Sequence, residues 1–311
     1  MQVFLIVAPV FALIVIGYAG AASRLFSENA HKGIAEYAFS IAIPALLFRT
    51  IAVADTGNIE PFRLWASYFG AVIATWVLAT LVTRSFLKRP APDGAAIAIS
   101  SVYGNVVMLG IPLALATFGP EAAAPMALIL SIHTPFLWLS GTAHMSFADR
   151  DAGTSLGTVA KSLIVDLARN PIILAIFAGS LWRLTGLGLH PAVDKVVTLL
   201  AQSGVPCALV ALGASLTNFQ IKGQAPTLTS ILILKLIAMP AFAWLLAVQV
   251  FQLPPVAAGV AVIFAAMPTG ANAYIFAMRY QRVVNSASGA VALGTVLAAF
   301  TAAILVLVLL H

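Results

Sequence analysis

Two helix-breaking motifs interrupt apolar segments that are each long enough to cross a lipid bilayer. The first motif contains Gly104, Asn105 and Pro112, and the second runs from Pro268 to Asn272. Proline removes a backbone donor and clashes with the preceding turn, so each helix is predicted to break near its proline. Irregular backbone at membrane depth is tolerated only where it is buried in protein or lines a polar cavity. The two motifs therefore predict a protected site formed by two interrupted helices.

The composition places the chain among integral membrane proteins. Hydrophobic residues make up 61% of the sequence, charged residues 8%, and the mean hydropathy is +1.03. Soluble domains carry about 25% charged residues. The net charge of +6 does not indicate nucleic-acid binding, because the basic residues lie between apolar segments rather than in one patch. The single cysteine, Cys207, excludes an internal disulfide, and we expect neither a metal site nor a cofactor.

Ten apolar segments are predicted to span the bilayer, since about 20 residues of helix cross its hydrocarbon core. They are 3–22, 34–54, 64–86, 94–119, 122–147, 170–189, 196–219, 226–251, 254–278 and 284–310. The connections are short, and only 148–169 is long enough to form a substantial loop. The predicted fold is therefore an all-α, ten-helix membrane protein.

The distribution of lysine and arginine predicts the orientation. The loops after the odd-numbered segments hold 11 basic residues, whereas the opposite side holds 4. Basic loops face the cytoplasm, so we predict that 148–169 is cytoplasmic and that both termini lie outside.

An internal repeat is visible in the spacing of the prolines and asparagines. Pro44 and Pro206 are separated by nearly the same length of chain as Asn105 and Asn272. We predict one five-helix repeat over 1–147, a connecting loop over 148–169 and a second repeat over 170–311. Because five is odd, the second repeat would enter the membrane inverted. Chance pairing of the prolines is the alternative.

Short sequence pieces spread along nearly the whole chain carry a family resemblance. They are Gly17-Tyr18, Ile-Pro-Ala-Leu-Leu-Phe at 43–48, Gly104-Asn105 with Gly110-Ile111-Pro112, Asn170-Pro171, Met267-Pro268 with Asn272, and Arg279-Tyr280. In this order they resemble the auxin efflux carrier family, which includes plant PIN carriers and bacterial malonate-type permeases. The resemblance implies two inverted five-helix repeats, with the fourth and ninth helices unwound and crossing near Pro112 and Pro268. It also implies substrate at the crossing, and a scaffold and a transport domain that move against each other.

The residues at the crossing suit an anion. The second half of a broken helix begins with exposed N–H groups and partial positive charge. Asn105 and Asn272 would add uncharged donors. The predicted substrate-binding residues are Asn105, Asn272, Gly104, Thr269, Gly270 and Tyr103, and the predicted cavity-lining residues are Pro44, Pro206, Ser101 and His133.

Each of these assignments has a structural alternative. The asparagines would then only satisfy freed backbone groups, and the two prolines would only kink their helices. Tyr103 would be a packing aromatic, and His133 a neutral histidine bonded within the bundle. Lys235 is expected to extend to the cytoplasmic surface, with attraction of an anion as the alternative.

The acidic residues are all predicted in loops or at helix ends. They are Glu28, Glu36, Asp55, Glu60, Asp93, Glu121, Asp149, Asp151, Asp166 and Asp194. An intramembrane carboxylate is the usual proton or sodium relay, so a carboxylate-based coupling site is disfavoured. Coupling to H⁺, or to Na⁺ held by carbonyl groups, stays open.

The resemblance implies a secondary transporter in the bacterial inner membrane that moves a small organic anion, a mono- or dicarboxylate of malonate size, by alternating access. A sodium-coupled symporter of the bile-acid type is the first alternative. A membrane enzyme would need an acid–base constellation at membrane depth, which the sequence does not offer, and a receptor or channel is the third alternative. The expected partners are the substrate and the bilayer, and a homodimer is left open.

Overall fold

The computed structural model describes residues 2–53, 60–149, 157, 161, 164–165, 168–221 and 223–309. Within these residues the regular structure is helical, apart from one isolated bridge between Gly104 and Thr269. The all-α prediction is therefore confirmed for the part of the chain that is described. Most of the predicted connecting loop, 148–169, lies outside the described residues.

Twelve main helices follow one another along the described chain. They are α1 (Gln2–Ala22), α2 (Asn29–Val53), α3 (Pro61–Phe86), α4 (Ala91–Val102), α5 (Ile111–Phe118), α6 (Ala123–Ala148), α7 (Pro171–Leu184), α8 (Pro191–Ser215), α9 (Ala225–Val250), α10 (Pro255–Ala266), α11 (Ala271–Tyr280) and α12 (Val284–Leu309). A π-helical turn, Val106–Gly110, precedes α5, and a 3₁₀ turn, Gly119–Ala122, separates α5 from α6.

Seven helical stretches among the described residues are long and apolar enough to cross a membrane. Six of them are α1, α2, α3, α9, α12 and the stretch from α8 to Asn218, and the seventh is Val106–Ala148, which contains α5 and α6. The helices α7 and α10 are apolar but shorter. The structure thus supports a multi-pass membrane protein, while the count of ten spans stays a prediction.

The chain forms two compact units. Unit 1 contains Met1–Ile59, Val107–Ser131 and Ile164–Asn218, and unit 2 contains Glu60–Val106, Ile132–Leu163 and Phe219–His311. Each unit contains segments from both halves of the sequence. The two units therefore do not coincide with the two predicted repeats, which divide the chain into a first and a second half. The helix α6 begins in unit 1 and ends in unit 2.

Unit 1 is built on close contacts between helix backbones. The helix α1 packs against α8, and α2 packs against both α7 and α8. A side chain at Gly17 would overlap the carbonyl group of Val210, and one at Gly213 would overlap that of Ile14. Small residues let membrane helices approach closely, where van der Waals contact replaces the hydrophobic effect as the source of stability.

Unit 2 encloses two helices almost completely. Every residue of α4 from Asp93 to Val102 is buried, as is every residue of α10 from Ala257 to Ala266. The helix α3 packs against both, and α9 and α11 also contact α4. Both buried helices are rich in alanine and small residues, which allows neighbours on all sides.

A cluster of ion pairs joins three parts of unit 2. Asp93, in the first turn of α4, is 5% exposed and accepts from Arg89 at 2.8 Å. Arg282, just after α11, lies 3.7 Å from Asp93 and 3.1 Å from Asp149. Asp93 and Asp149 thus lie at helix ends, as the sequence predicts for acidic residues, and here they connect the ends of α4, α6 and α11.

Candidate functional site

Two helices of unit 2 end abruptly inside the apolar core. The helix α4 ends at Val102, and α10 ends at Ala266. Pro268 explains the second end, because a residue that precedes proline is driven out of the helical region. Met267 accordingly has φ −62° and ψ 139°, and the chain turns helical again only at Ala271.

The two non-helical segments pair with each other. The N–H of Asn105 donates to the Pro268 carbonyl at 2.7 Å, and the N–H of Gly270 donates to the Tyr103 carbonyl at 2.8 Å. These bonds form an antiparallel bridge between Gly104 and Thr269. Buried backbone groups need partners, and here each interruption supplies them for the other. We call residues 103–105 and 267–270 the paired interruptions.

Two glycines lie where the paired interruptions approach most closely. A Cβ atom on Gly270 would lie 3.1 Å from the Gly104 oxygen, and one on Gly104 would lie 3.2 Å from the Met267 oxygen. Both distances are shorter than ordinary van der Waals contact, and the Lys235 side chain lies equally close to the added Cβ atom of Gly104. The two glycines therefore permit the close approach of the two segments.

A chain of polar side chains leads from the paired interruptions to α6. The Asn272 amide donates to the Tyr103 hydroxyl at 3.0 Å, and that hydroxyl donates to Thr134 at 3.0 Å. Thr269 donates to the Ser100 carbonyl at 2.9 Å, which satisfies a group at the end of α4. Tyr103 and Thr269 are buried, whereas Asn272 is exposed at the start of α11.

The remaining predicted residues of unit 2 lie around this chain. Asn105 is 9% exposed, and Ser101 donates to the Ile97 carbonyl of its own helix at 2.8 Å. His133 is buried, with its Nδ1 atom 3.1 Å from the Tyr68 hydroxyl and its ring edge-on to Tyr103 at 5.2 Å. Its Nε2 atom has no hydrogen-bond partner among the described residues.

The predicted prolines are divided between the units. Pro268 lies within the paired interruptions, whereas Pro112, Pro44 and Pro206 belong to unit 1. Pro112 is buried inside α5, so the non-helical residues of the first motif precede it. Pro44 follows the π-helical turn Ala38–Ala42 of α2, which accommodates its missing N–H, and Pro206 is exposed within α8.

Lys235 does not extend to the surface as expected. Its side chain is fully buried, and its ammonium group donates to the Ala265 carbonyl near the end of α10. The expectation was wrong because α3, α4 and α10 pack around the turn Leu234–Ala238 and leave the side chain no path to water. The Ala265 carbonyl, in the last turn of α10, accepts from it instead.

Sequence reasoning missed Thr134 and Tyr68, which hold Tyr103 and His133 in place. Thr134 adjoins His133 in a charge-free segment, and this pair of polar residues was the only available signal. No sequence signal pointed to Tyr68, because it is far from His133 in the sequence and the two residues share no helical spacing.

The comparisons with known proteins identify the family of the chain. The profile of the family described as "Membrane transport protein" matches residues 2–306. The chain belongs to this family. The match covers nearly the whole sequence and confirms the resemblance to the auxin efflux carrier family. The chain is thus a multi-pass integral membrane protein of a transport family.

Several known proteins are similar to the chain over much of their length. A "Putative malonate transporter" of Rhizobium meliloti (strain 1021) is 24% identical over 302 residues, 95% of this chain and 92% of the relative. An "Uncharacterized transporter" of Methanocaldococcus jannaschii, MJ1031, is 26% identical over 227 residues, 70% of each chain. Another, YfdV of Escherichia coli (strain K12), is 22% identical over 290 residues, 91% of this chain and 90% of the relative.

Proposed function

We propose that this protein is a secondary transporter that moves a small organic anion, a mono- or dicarboxylate of malonate size, by alternating access. The observation that carries the proposal is the exposed Asn272 amide at the start of α11, held by Tyr103 beside the paired interruptions. A relative named for malonate covers nearly the same length of chain and supports this class of substrate.

The chemistry of the site suits a carboxylate. The N-terminal end of α11 carries partial positive charge, and its N-cap residue, Gly270, has no side chain to occupy that end. Asn272 and Asn105 supply amide donors without a negative charge. Gly104, Thr269, Gly270 and Tyr103 shape the site, with Ser101 and His133 nearby. The site requires no cofactor and no acid–base catalyst, in keeping with a carrier rather than an enzyme.

The ten-span arrangement is part of the proposal. A helix of 43 residues is far too long for one crossing, and Val106–Ala148 turns at Gly119, which has a φ of 62°. We propose that α4 and α5 form the fourth span, that α10 and α11 form the ninth, and that the two spans cross at the paired interruptions. The repeats would be 1–147 and 170–311, joined by a cytoplasmic loop at 148–169, with Pro44 and Pro206 at matching places that line the cavity.

We propose that the protein lies in the bacterial inner membrane. The distribution of lysine and arginine supports an orientation with both termini outside. H⁺ and Na⁺ are the candidate coupling ions, and a homodimer is the candidate assembly. The alternative of a sodium-coupled symporter of the bile-acid type finds no support in the names of the relatives.

The test is counterflow of labelled malonate into proteoliposomes, with succinate, acetate and a neutral amide as competitors. A carrier gives saturable uptake that rises when unlabelled substrate is present inside. Liposomes containing the double variant Asn105→Ala/Asn272→Ala are the matched control. Uptake that is linear with concentration would indicate a channel, and uptake only in sodium would favour the alternative symporter. No uptake of labelled malonate, or of labelled succinate or acetate in its place, would reject the proposal.

A further inference from the structure

Lys235 occupies an exceptional position for a lysine. It lies in α9, about 15 Å of helix rise from the first residue, Ala225, and further still from the last, Val250. Its side chain is 0% exposed and is among the largest fully buried side chains of the described protein. An ionisable residue at this depth of a membrane segment is costly, and such residues mark functional sites.

The local sequence explains how Lys235 reaches this position. It belongs to the π-helical segment Leu234–Ala238, which ends just before Pro240. Proline cannot donate to the preceding turn, and a widened π turn is a common way to accommodate it. The widened turn sets the direction in which Lys235 leaves α9.

The ammonium group of Lys235 ends beside both of the paired interruptions. It donates to the Ala265 carbonyl in the last turn of α10 and contacts the Met239 sulfur at 3.1 Å. A Cβ atom on Gly104 would lie 3.2 Å from the Lys235 nitrogen. The charge is therefore located where the end of α10 meets the interruption that follows α4.

Capping of α10 alone does not account for a lysine. The last carbonyls of a helix can be satisfied by a hydroxyl, an amide or water, without burial of a charge. No ion pair joins Lys235 to a carboxylate in the described part of the chain. One carbonyl and one thioether do not offset the desolvation of an ammonium ion, so the charged form of Lys235 needs a further partner, and a nearby anion is the partner that would stabilise it.

We propose that Lys235 is a tethered cation. Its ammonium group supplies positive charge at the paired interruptions, in the place of a free coupling cation. The ammonium group occupies the Ala265 carbonyl oxygen, which a free cation would otherwise contact, and none of the described carboxylates pairs with it. An organic anion bound at Asn272 and Asn105 then provides the missing counter-charge. This part rests on the proposed function, and it predicts anion binding that needs no sodium.

The experiment uses the full-length protein in detergent, with labelled malonate as the probe and salts matched in ionic strength. Lys235→Met removes the charge and keeps most of the side-chain volume. Lys235→Ala leaves room for a small amine. Met239→Leu is the matched control, because it removes the sulfur contact and keeps the charge. Malonate affinity and the midpoint of thermal unfolding are measured in sodium, N-methyl-D-glucamine, methylammonium and tetramethylammonium chloride.

We expect wild-type affinity to be equal in sodium and N-methyl-D-glucamine, and Met239→Leu to match it. Lys235→Met should bind malonate at least tenfold more weakly in every salt. For Lys235→Ala, malonate affinity should be at least threefold higher, and the unfolding midpoint higher, in methylammonium than in sodium. The larger tetramethylammonium should have neither effect. Any of three results would overturn the proposal. Wild type could bind malonate only in sodium, Lys235→Met could bind it as tightly as wild type, or methylammonium could leave the unfolding midpoint of Lys235→Ala unchanged.

The thermal readout separates this proposal from the proposed function. If wild type binds no malonate in any salt while methylammonium still stabilises Lys235→Ala, the tethered cation stands and the substrate class is rejected. If Lys235→Met fails to fold, Lys235→Ala purified in methylammonium gives the same comparison.

Discussion

At the scale of single residues, the two asparagines of the site differ in their surroundings. Asn105 is 9% exposed and its backbone pairs with Pro268, whereas Asn272 is exposed and bonds to Tyr103 through its side chain. If both amides bind the substrate, Asn105→Ala or Asn272→Ala should each cost about 1.5–3 kcal/mol, which is roughly ten- to a hundredfold in affinity. Replacement of either asparagine by aspartate should lower the affinity further, because a carboxylate repels an anionic substrate at low dielectric. Malonate binding isotherms measure the effect.

A third asparagine provides the control. Asn170 caps α7 by accepting from the N–H of Ile172 at 2.9 Å. Asn170→Ala should lower stability by about 1 kcal/mol and leave affinity unchanged. Unchanged affinity in both Asn105→Ala and Asn272→Ala would reject the proposed site and leave them with a structural role like that of Asn170.

The Tyr103 hydroxyl is predicted to orient the Asn272 amide. Tyr103→Phe keeps the ring packed against His133 but removes the link between Asn272 and Thr134. We expect affinity to fall about fivefold, corresponding to one ordinary hydrogen bond of ~1 kcal/mol. Tyr280→Phe is the matched control, since its hydroxyl donates to Thr142 at the long distance of 3.4 Å. Equal affinities in the two variants would show that the Asn272–Tyr103 bond does not contribute to binding.

At the scale of helices, the sequence located the second interruption well and the first one less well. Proline acts on its immediate neighbours, so Pro268 could be read directly as the end of α10. Residues 103–105 contain no proline, and the helix stops there because their backbone groups pair with residues 268–270. That pairing joins segments far apart in the sequence, and no local signal reports it.

The close contact between α1 and α8 gives a prediction for unit 1. Gly213→Ala would place a methyl group against the carbonyl of Ile14, and helix backbones cannot move apart without loss of their other contacts. We expect a loss of about 1–3 kcal/mol in stability, measured as a lower midpoint of thermal unfolding.

Gly33→Ala is the matched control, because Gly33 is an exposed glycine of α2 with nothing within 4 Å of an added Cβ. It should be neutral or should stabilise by about 0.5–1 kcal/mol through helix propensity. A Gly213→Ala protein as stable as Gly33→Ala would contradict the packing described for unit 1.

At the scale of the whole molecule, the basic-residue distribution predicts that 148–169 is cytoplasmic. In a Cys207→Ala background, Ser155→Cys should resist a membrane-impermeant maleimide in intact cells and react after permeabilisation. Glu60→Cys, in the predicted outer connection between α2 and α3, should react in intact cells. The reverse pattern of labelling would invert the proposed topology.

The sequence by itself determined the class of the protein, its helical character and the residue types of the site. These properties depend on composition and on local chemistry: apolar segments of membrane length, prolines that end helices, and glycines that permit close contact. The motif search therefore found Gly104, Asn105, Thr269, Gly270 and Asn272, which lie in or directly beside the paired interruptions.

Only the tertiary structure decided which of the candidate residues meet. It placed Tyr103, Thr134 and Asn272 in one hydrogen-bonded chain and assigned Pro44, Pro112 and Pro206 to unit 1. It also buried Lys235 against the end of α10, although its sequence context suggested a side chain that reaches the surface. The physical reason is that carbonyl groups at the end of a helix attract donors in three dimensions, and their positions depend on packing between distant segments of the chain.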